Sequence, residues 1–70
     1  MKKIIESSNQ SVYVRMMKYV SEEMRFRYAS HVHAPVDLLE YLADDPARRV
    51  RYAVHENPST PEAIRKKIVM

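Results

Sequence analysis

The chain has 70 residues, with twelve Lys and Arg against nine Asp and Glu for a formal charge of +3, and it holds neither Cys nor Gly. That length allows one small domain that hides only about 60% of its unfolded surface, and the missing Cys excludes disulfides and thiolate metal sites. No apolar run approaches the roughly 20 residues that span a bilayer, and Met1-Lys2-Lys3-Ile4-Ile5-Glu6 lacks the long apolar region of a secretory leader, so no membrane partner is expected and a cytoplasmic protein is.

Residues 1–23 carry four Lys/Arg against three Glu, residues 24–48 three against four, and residues 49–70 five against two, so the basic excess is C-terminal. A pI near 9.4 is compatible with nucleic acid or an acidic protein surface, although small soluble domains commonly carry this much charge. Without Gly, left-handed turns and glycine phosphate loops lose their usual residue. Plentiful Ala, Leu, Arg, Lys, Glu and Met with Pro- and Asn-containing turns predict an all-α fold.

In chain order, Lys2–Glu6 reads as a short helix or a tail, and Ser7-Ser8-Asn9 as cap or turn chemistry. Over 12–21 the pattern puts Val12, Met16, Tyr19 and Val20 on one helical face, while its β-branched and aromatic content leaves a strand open. Glu22-Glu23 and Asp44-Asp45 suit helix N-termini, since carboxylates accept from free N–H groups and complement the dipole. Helices are predicted over 24–31 and 46–55, the second with Asp45 as N-cap and Pro46 at its first position. Asn57-Pro58 ends it, and Thr60-Pro61 opens a last helix to about residue 69.

The chain repeats itself. Arg27-Tyr28-Ala29 returns as Arg51-Tyr52-Ala53, each with a His two residues on (His31, His55), a later Pro (Pro35, Pro61) and an apolar run (Leu38 and Leu42; Ile64 and Ile68). Met16-Met17-Lys18-Tyr19-Val20 parallels Leu38-Leu39-Glu40-Tyr41-Leu42. The spacing is uneven: the step from Arg27 to Arg51 is 24 (51 − 27), from Met16 to Leu38 it is 22 (38 − 16), and from Leu38 to Ile64 it is 26 (64 − 38). A period in the twenties built of two short helical pieces is a mark of stacked repeats.

Leu42-Ala43-Asp44-Asp45-Pro46, then Val50-Arg51, Ala53-Val54, Asn57-Pro58, Thr60-Pro61 and Ile64 resemble the leucine-rich repeat variant family, which is kin to HEAT-like α-solenoids. The good copy covers 42–64, a weaker one 26–42, and a half is traceable at 12–21. The resemblance implies a short right-handed α-solenoid of about two and a half repeats, divided as a half-repeat at 12–23 and repeats at 24–45 and 46–70 within a single domain, 1–70. Where the founding type of the family holds a Cys-ligated iron–sulfur cluster, this chain has no Cys, so no cofactor is carried over. His33-Ala34, standing where Asn57-Pro58-Ser59-Thr60 stands later, suggests a shorter turn in the earlier copy.

The expected core is Phe26, Ala29, Leu38, Leu42, Val50, Ala53, Val54, Ile64 and Ile68, with Met16 and Val20. Repeat arrays bury apolar faces only against neighbours, so an exposed apolar end is expected that a partner or a homodimer covers. Recurring Tyr19/Tyr41 and Tyr28/Tyr52 read as packing with hydroxyls at the rim, or as an aromatic row for a ligand. Arg25/Arg27 and Arg49/Arg51 fall at matching places, so stacking would build a ridge extended by Arg65, Lys66 and Lys67. Arg27 and Arg51 read as structural, bonding turn carbonyls or Asp44 and Asp45. Arg25, Arg48, Arg49, Arg65, Lys66 and Lys67 remain for phosphates or carboxylates, or for a solvated face. His31-Val32-His33 and His55 lack the further ligand a metal site needs, and no nucleophile or acid–base pair stands out.

The reading that follows is a non-enzymatic interaction module that binds a macromolecular partner, a protein before a nucleic acid. Its protein anchors would be exposed Tyr13, Met17 and Tyr41, and the basic residues would carry nucleic-acid affinity.

Overall fold

The computed structural model describes residues 12–69. Helix α1 (Val12–Met16) runs into a 3₁₀ turn (Met17–Tyr19), followed by α2 (Glu22–Ser30), α3 (Val36–Leu42), α4 (Arg48–Glu56) and α5 (Glu62–Arg65). Every regular element among the described residues is helical and none is a strand, which closes the strand alternative over 12–21. No helix among them is long and apolar enough to cross a membrane. No described residue has a positive φ, so the turns among them, which hold no Gly, run entirely through negative-φ geometry. The expectations for Lys2–Glu6 and Ser7-Ser8-Asn9 lie outside the described residues.

Helix starts differ from expectation by the identity of the cap. The Ser21 hydroxyl accepts from the Met24 N–H at 3.3 Å. Helix α2 therefore begins at Glu22, and both glutamates lie in its first turn beside the positive dipole end. Helix α4 begins at Arg48 rather than Pro46. Asp45 is not its N-cap, because Asp45 Oδ1 already accepts the Ala47 N–H at 2.9 Å and holds Ala47 extended ahead of the helix. The last helix is short. Beyond Arg65 the backbone tightens into three-residue turns, Lys67 N–H to Ile64 O and Ile68 N–H to Arg65 O, instead of continuing as α.

Helices α2 and α4 each span nine residues and end in matching geometry, with His31 at φ −78°, ψ 126° and Asn57 at φ −71°, ψ 121°. Equivalent backbone bonds recur at one spacing throughout. The N–H of Arg25 bonds to Ser21 O and that of Arg51 to Ala47 O; Ala34 bonds to His31 O and Thr60 to Asn57 O; Leu38 bonds to Pro35 O and Ile64 to Pro61 O. Each pair relates position i to i+26 (51 − 25, 60 − 34, 64 − 38). Pro35 and Pro61 take the same conformation, at φ −63°, ψ 147° and φ −61°, ψ 148°.

This register corrects two expectations. The turn of the earlier copy is not shorter, since His31 to Pro35 and Asn57 to Pro61 are the same length. The Arg-Tyr-Ala triplets, related by i to i+24 (51 − 27), are therefore not structural equivalents. Arg25 matches Arg51 instead. Arg25 Nη1 donates to Val20 O at 2.8 Å, and Arg51 Nη1 donates to Pro46 O at 3.2 Å, with both donor and acceptor shifted by the same step (51 − 25, 46 − 20).

Helix α2 packs chiefly on α4, and α3 lies against α1, α2 and α4. Helix α3 is the centre of the core, with Leu38, Leu39 and Leu42 all fully buried. Ala29 on α2 and Ala53 on α4 are both buried, and their small side chains let the two helices approach closely. Val50, Val54 and Ile64 complete the expected set, while Phe26, Val20 and Ile68 are half-buried against it. Leu39 and Ala43 belong to the core as well.

The first helix shows the opposite face from the one expected. Val12 and Met16 are exposed, Met16 at 47%, whereas Val14 and Met17 are buried, Met17 at 2%. Two apolar stripes compete in 12–20, and the switch to a 3₁₀ turn at Met17 lets the Val14–Met17 pair, three residues apart, point into the core.

Three buried polar side chains pin the turns, and no buried side-chain nitrogen or oxygen among the described residues lacks a partner. Asn57 Nδ2 donates to Ala29 O and to His31 O, both at 2.8 Å, and its Oδ1 accepts from the Ser59 N–H at 2.8 Å. Thr60 Oγ1 donates to Val54 O at 2.7 Å, and the Ser59 hydroxyl donates to Val32 O. Exposed His31 copies half of this: its Nδ1 accepts from the His33 N–H at 3.1 Å. Asn57→Ala should therefore destabilise the fold by about 1–3 kcal/mol, because the buried Ala29 carbonyl loses its donor while His31 O keeps the Ala34 N–H. His31→Asn, which keeps the turn bond at an exposed place, should stay within about 0.5 kcal/mol of the parent. Urea unfolding of the two variants reads both.

Candidate binding groove

A groove opens where the 3₁₀ turn meets the α3–α4 connection. Its inner part, about 370 Å³, is lined by Met17, Lys18, Arg25, Tyr41, Asp44, Asp45 and Pro46. An outer part of about 540 Å³ shares Lys18 and Tyr41 and adds Val14, Arg15 and Tyr19. Buried Val14 and Met17 form its floor, and Tyr41 and Tyr19 stand over it, Tyr19 with 83% of its surface free. The Lys18 ammonium lies 5.8 Å from the Tyr19 ring centroid.

Three of the nine residues singled out from the sequence meet here: Met17, Arg25 and Tyr41. Met17 is floor rather than an exposed anchor, for the reason given by the 3₁₀ turn. Tyr19, expected on the buried face, is the most exposed aromatic among the described residues, and the packing reading fails for it. Arg15 and Lys18 were missed by sequence reasoning. The available signal was their three-residue spacing beside a tyrosine, but with the helix continued regularly they would have read as a solvated face. Tyr13 lies in a separate cleft of about 280 Å³ with Tyr28, His31, His33, Ala34, Pro35 and Leu38.

Arg25 is turned inward. Its Nε donates to Asp45 Oδ2 at 2.7 Å and its Nη2 to Asp45 Oδ1 at 3.2 Å, with side-chain exposures of 19% and 3% for the two residues. This bidentate pair, with the Val20 carbonyl as a further acceptor, leaves the guanidinium little to offer a ligand. Hydrogen bonding to Asp45 pushes the Arg25 pKa up against the opposing effect of burial.

Most of the basic residues expected to form a ridge are engaged within the chain. Arg49 reaches across to α2, with Nε on Glu22 Oε2 and Nη2 on Glu23 Oε1, both at 2.8 Å, and its guanidinium centre sits 5.0 Å from the Phe26 ring. Arg65 Nε donates to His55 O and Nη2 to Asn57 O, both at 2.9 Å, and Nη1 lies 3.4 Å from Glu62. Lys67 Nζ lies 3.5 Å from Glu40. Of the six basic residues, only Arg48 and Lys66 make no ion pair or side-chain hydrogen bond among the described residues. The reason is reach: the acidic first turn of α2 and the open carbonyls ending α4 lie within a guanidinium's length of the helices that carry these arginines.

Arg51 fulfils its structural role, donating from Nη1 to Asp45 O at 2.6 Å and from Nε to Val69 O at 2.9 Å. Arg27 does not: it is exposed and meets only Glu23, at 3.6 Å on its own helix. Among the described residues no group of three or more His, Asp or Glu side chains is placed to hold a metal ion. Comparison with protein-family models, with curated proteins and with solved structures returns no match.

Glu23 accepts a hydrogen bond from Arg49, which holds its carboxyl below the ordinary value of 4.5 and raises the Arg49 pKa in turn. A carboxylate depressed in the folded state stabilises the fold above its unfolded pKa, and that contribution is lost as pH falls through the folded one. Carboxyl NMR titration should place the Glu23 midpoint below 4.5. In Arg49→Ala the midpoint should return toward that value.

Proposed function

We propose that the chain is a short α-solenoid of the leucine-rich repeat variant and HEAT-like kind, acting as a non-enzymatic module that binds a protein partner. The observation that carries this reading is the groove: two exposed tyrosines stand over a buried apolar floor, the arrangement protein interfaces use for anchors. The constant i to i+26 register, with matched caps and turns, supports the repeat assignment. Capture of nucleic acid is the weaker reading, because ion pairs and carbonyls occupy four of the six basic residues on which it would depend.

Photo-crosslinkers placed at Tyr41 and at Lys66 in the full chain test this in native lysate. Crosslinks to protein from Tyr41 that survive nuclease are expected. Products that vanish with nuclease, or that form only from Lys66, would overturn the reading. Titration against duplex DNA at increasing salt gives a second check. The four described cations without a carboxylate or carbonyl partner, Arg15, Lys18, Arg48 and Lys66, support a log–log slope no steeper than about −3.6, and a slope of about −4.5 or steeper would indicate five or more phosphate contacts and the nucleic-acid reading instead.

A further inference from the structure

Charge is distributed unevenly over the groove. Across the described residues, Arg25, Arg27, Arg49 and Lys67 each meet a carboxylate, and Arg51 and Arg65 are engaged by carbonyls. The cations left there without an ion pair are Arg15, Lys18, Arg48 and Lys66. Arg15 and Lys18 both line the groove, beside Tyr19 and Tyr41. At the inner end the Arg25–Asp45 pair is neutral as a unit, and exposed Asp44 supplies negative charge. The groove is thus basic at its α1 end, acidic at the α3–α4 end and apolar along its floor.

Resting on the protein-binding reading, we infer that this groove docks an acidic segment of the partner protein, one that sets carboxylates against Arg15 and Lys18 and an apolar side chain on Val14 and Met17. Two facts select this occupant. Arg15 and Lys18 meet no carboxylate among the described residues, so a ligand carboxylate gains the Coulomb attraction without displacing an existing partner there. The Asp44 carboxylate disfavours a nucleic acid, whose negative charge repeats evenly along its backbone and cannot skip the acidic end. A peptide can, by placing a neutral or basic residue there.

The probes are labelled peptides of about twelve residues, the scale of peptide-groove recognition. One alternates Glu with Leu and Phe, a second carries Lys in place of every Glu, and an oligo-dT of similar length is the third. Fluorescence anisotropy with the full chain should show saturable binding of the acidic peptide only. Affinity should fall about tenfold or more in Arg15→Glu/Lys18→Glu and in Tyr41→Ala. It should be unchanged in Arg48→Glu/Lys66→Glu, whose charge change is the same. Circular dichroism and urea unfolding confirm that each variant keeps the parental helix content. No binding of the acidic peptide, equal loss in both double variants, or tighter binding of oligo-dT would overturn the inference. So would self-association by sedimentation that Arg15→Glu/Lys18→Glu abolishes, since a second copy would then occupy the groove. Nuclease-resistant crosslinks from Tyr41 without acidic-peptide binding would sink this inference alone and leave the protein-binding reading standing.

Discussion

The Asn57 carboxamide is the constraint on which the rest of the fold depends. Helix α2 ends with carbonyls that have no partner in their own helix, and Asn57 Nδ2 meets two of them, Ala29 O and His31 O, from the end of α4. The same side chain bends its own turn by accepting from the Ser59 N–H, which leads the chain toward Pro61 and α5. One residue thus fixes how the two helical pairs sit on one another and where the second of them turns. An apolar side chain of the same size would leave the buried Ala29 carbonyl without that donor, and a carboxylate would set a further acceptor against it.

The end of α4 poses the same problem. The i+26 equivalents of Ala29 and His31 are His55 and Asn57 (55 − 29, 57 − 31), and their carbonyls accept from Arg65 Nε and Nη2. In register Arg65 stands where α3 has fully buried Leu39. The Arg65 guanidinium on α5 therefore does at the end of α4 what the Asn57 amide does at the end of α2. Arg51 adds to this closure by reaching Val69 O. Val12, Tyr13, Met16 and Tyr19 are exposed on α1 and its 3₁₀ turn, and Val69 is exposed beyond α5.

What could be read from the sequence divides along these lines. Burial of Ala29, Leu38, Leu42, Val50, Ala53, Val54 and Ile64 was legible, because apolar periodicity in α2 to α5 admits one inward face. The register was not. Identical triplets drew the eye to a match of Arg27 with Arg51, while the structural match joins residues of unlike chemistry that do one job: His31 and Asn57 both accept in an Asx-like turn, and Ser21 and Ala47 both precede a helix. Hydrogen bonding to backbone is indifferent to side-chain class so long as an acceptor atom is in the right place. The fate of the arginines was equally hidden. Whether a guanidinium forms a ridge or folds onto Asp45, Glu22 or the end of α4 depends on distances between residues far apart in the chain or on a turn carbonyl, which no local pattern encodes.

The groove depends on the backbone transition at Met17. In an α-helix continued from Val14, residues three and four apart share a face, and Met17 and Lys18 would compete for the same inward position. The 3₁₀ turn brings i and i+3 into line, so Met17 and Val20 follow Val14 toward the core, while Lys18 and Tyr19 are both directed outward. The Val20 N–H to Met17 O bond closes that turn at 3.1 Å, and Arg25 Nη1 on Val20 O ties it to the Asp45 ion pair. The same pair that neutralises the inner end of the groove therefore also holds its outer wall in place. Core packing, the buried ion pair and the presentation of Lys18 and Tyr19 are one coupled arrangement, and a change at Asp45 would reach the groove surface through Arg25 and Val20 rather than through the core.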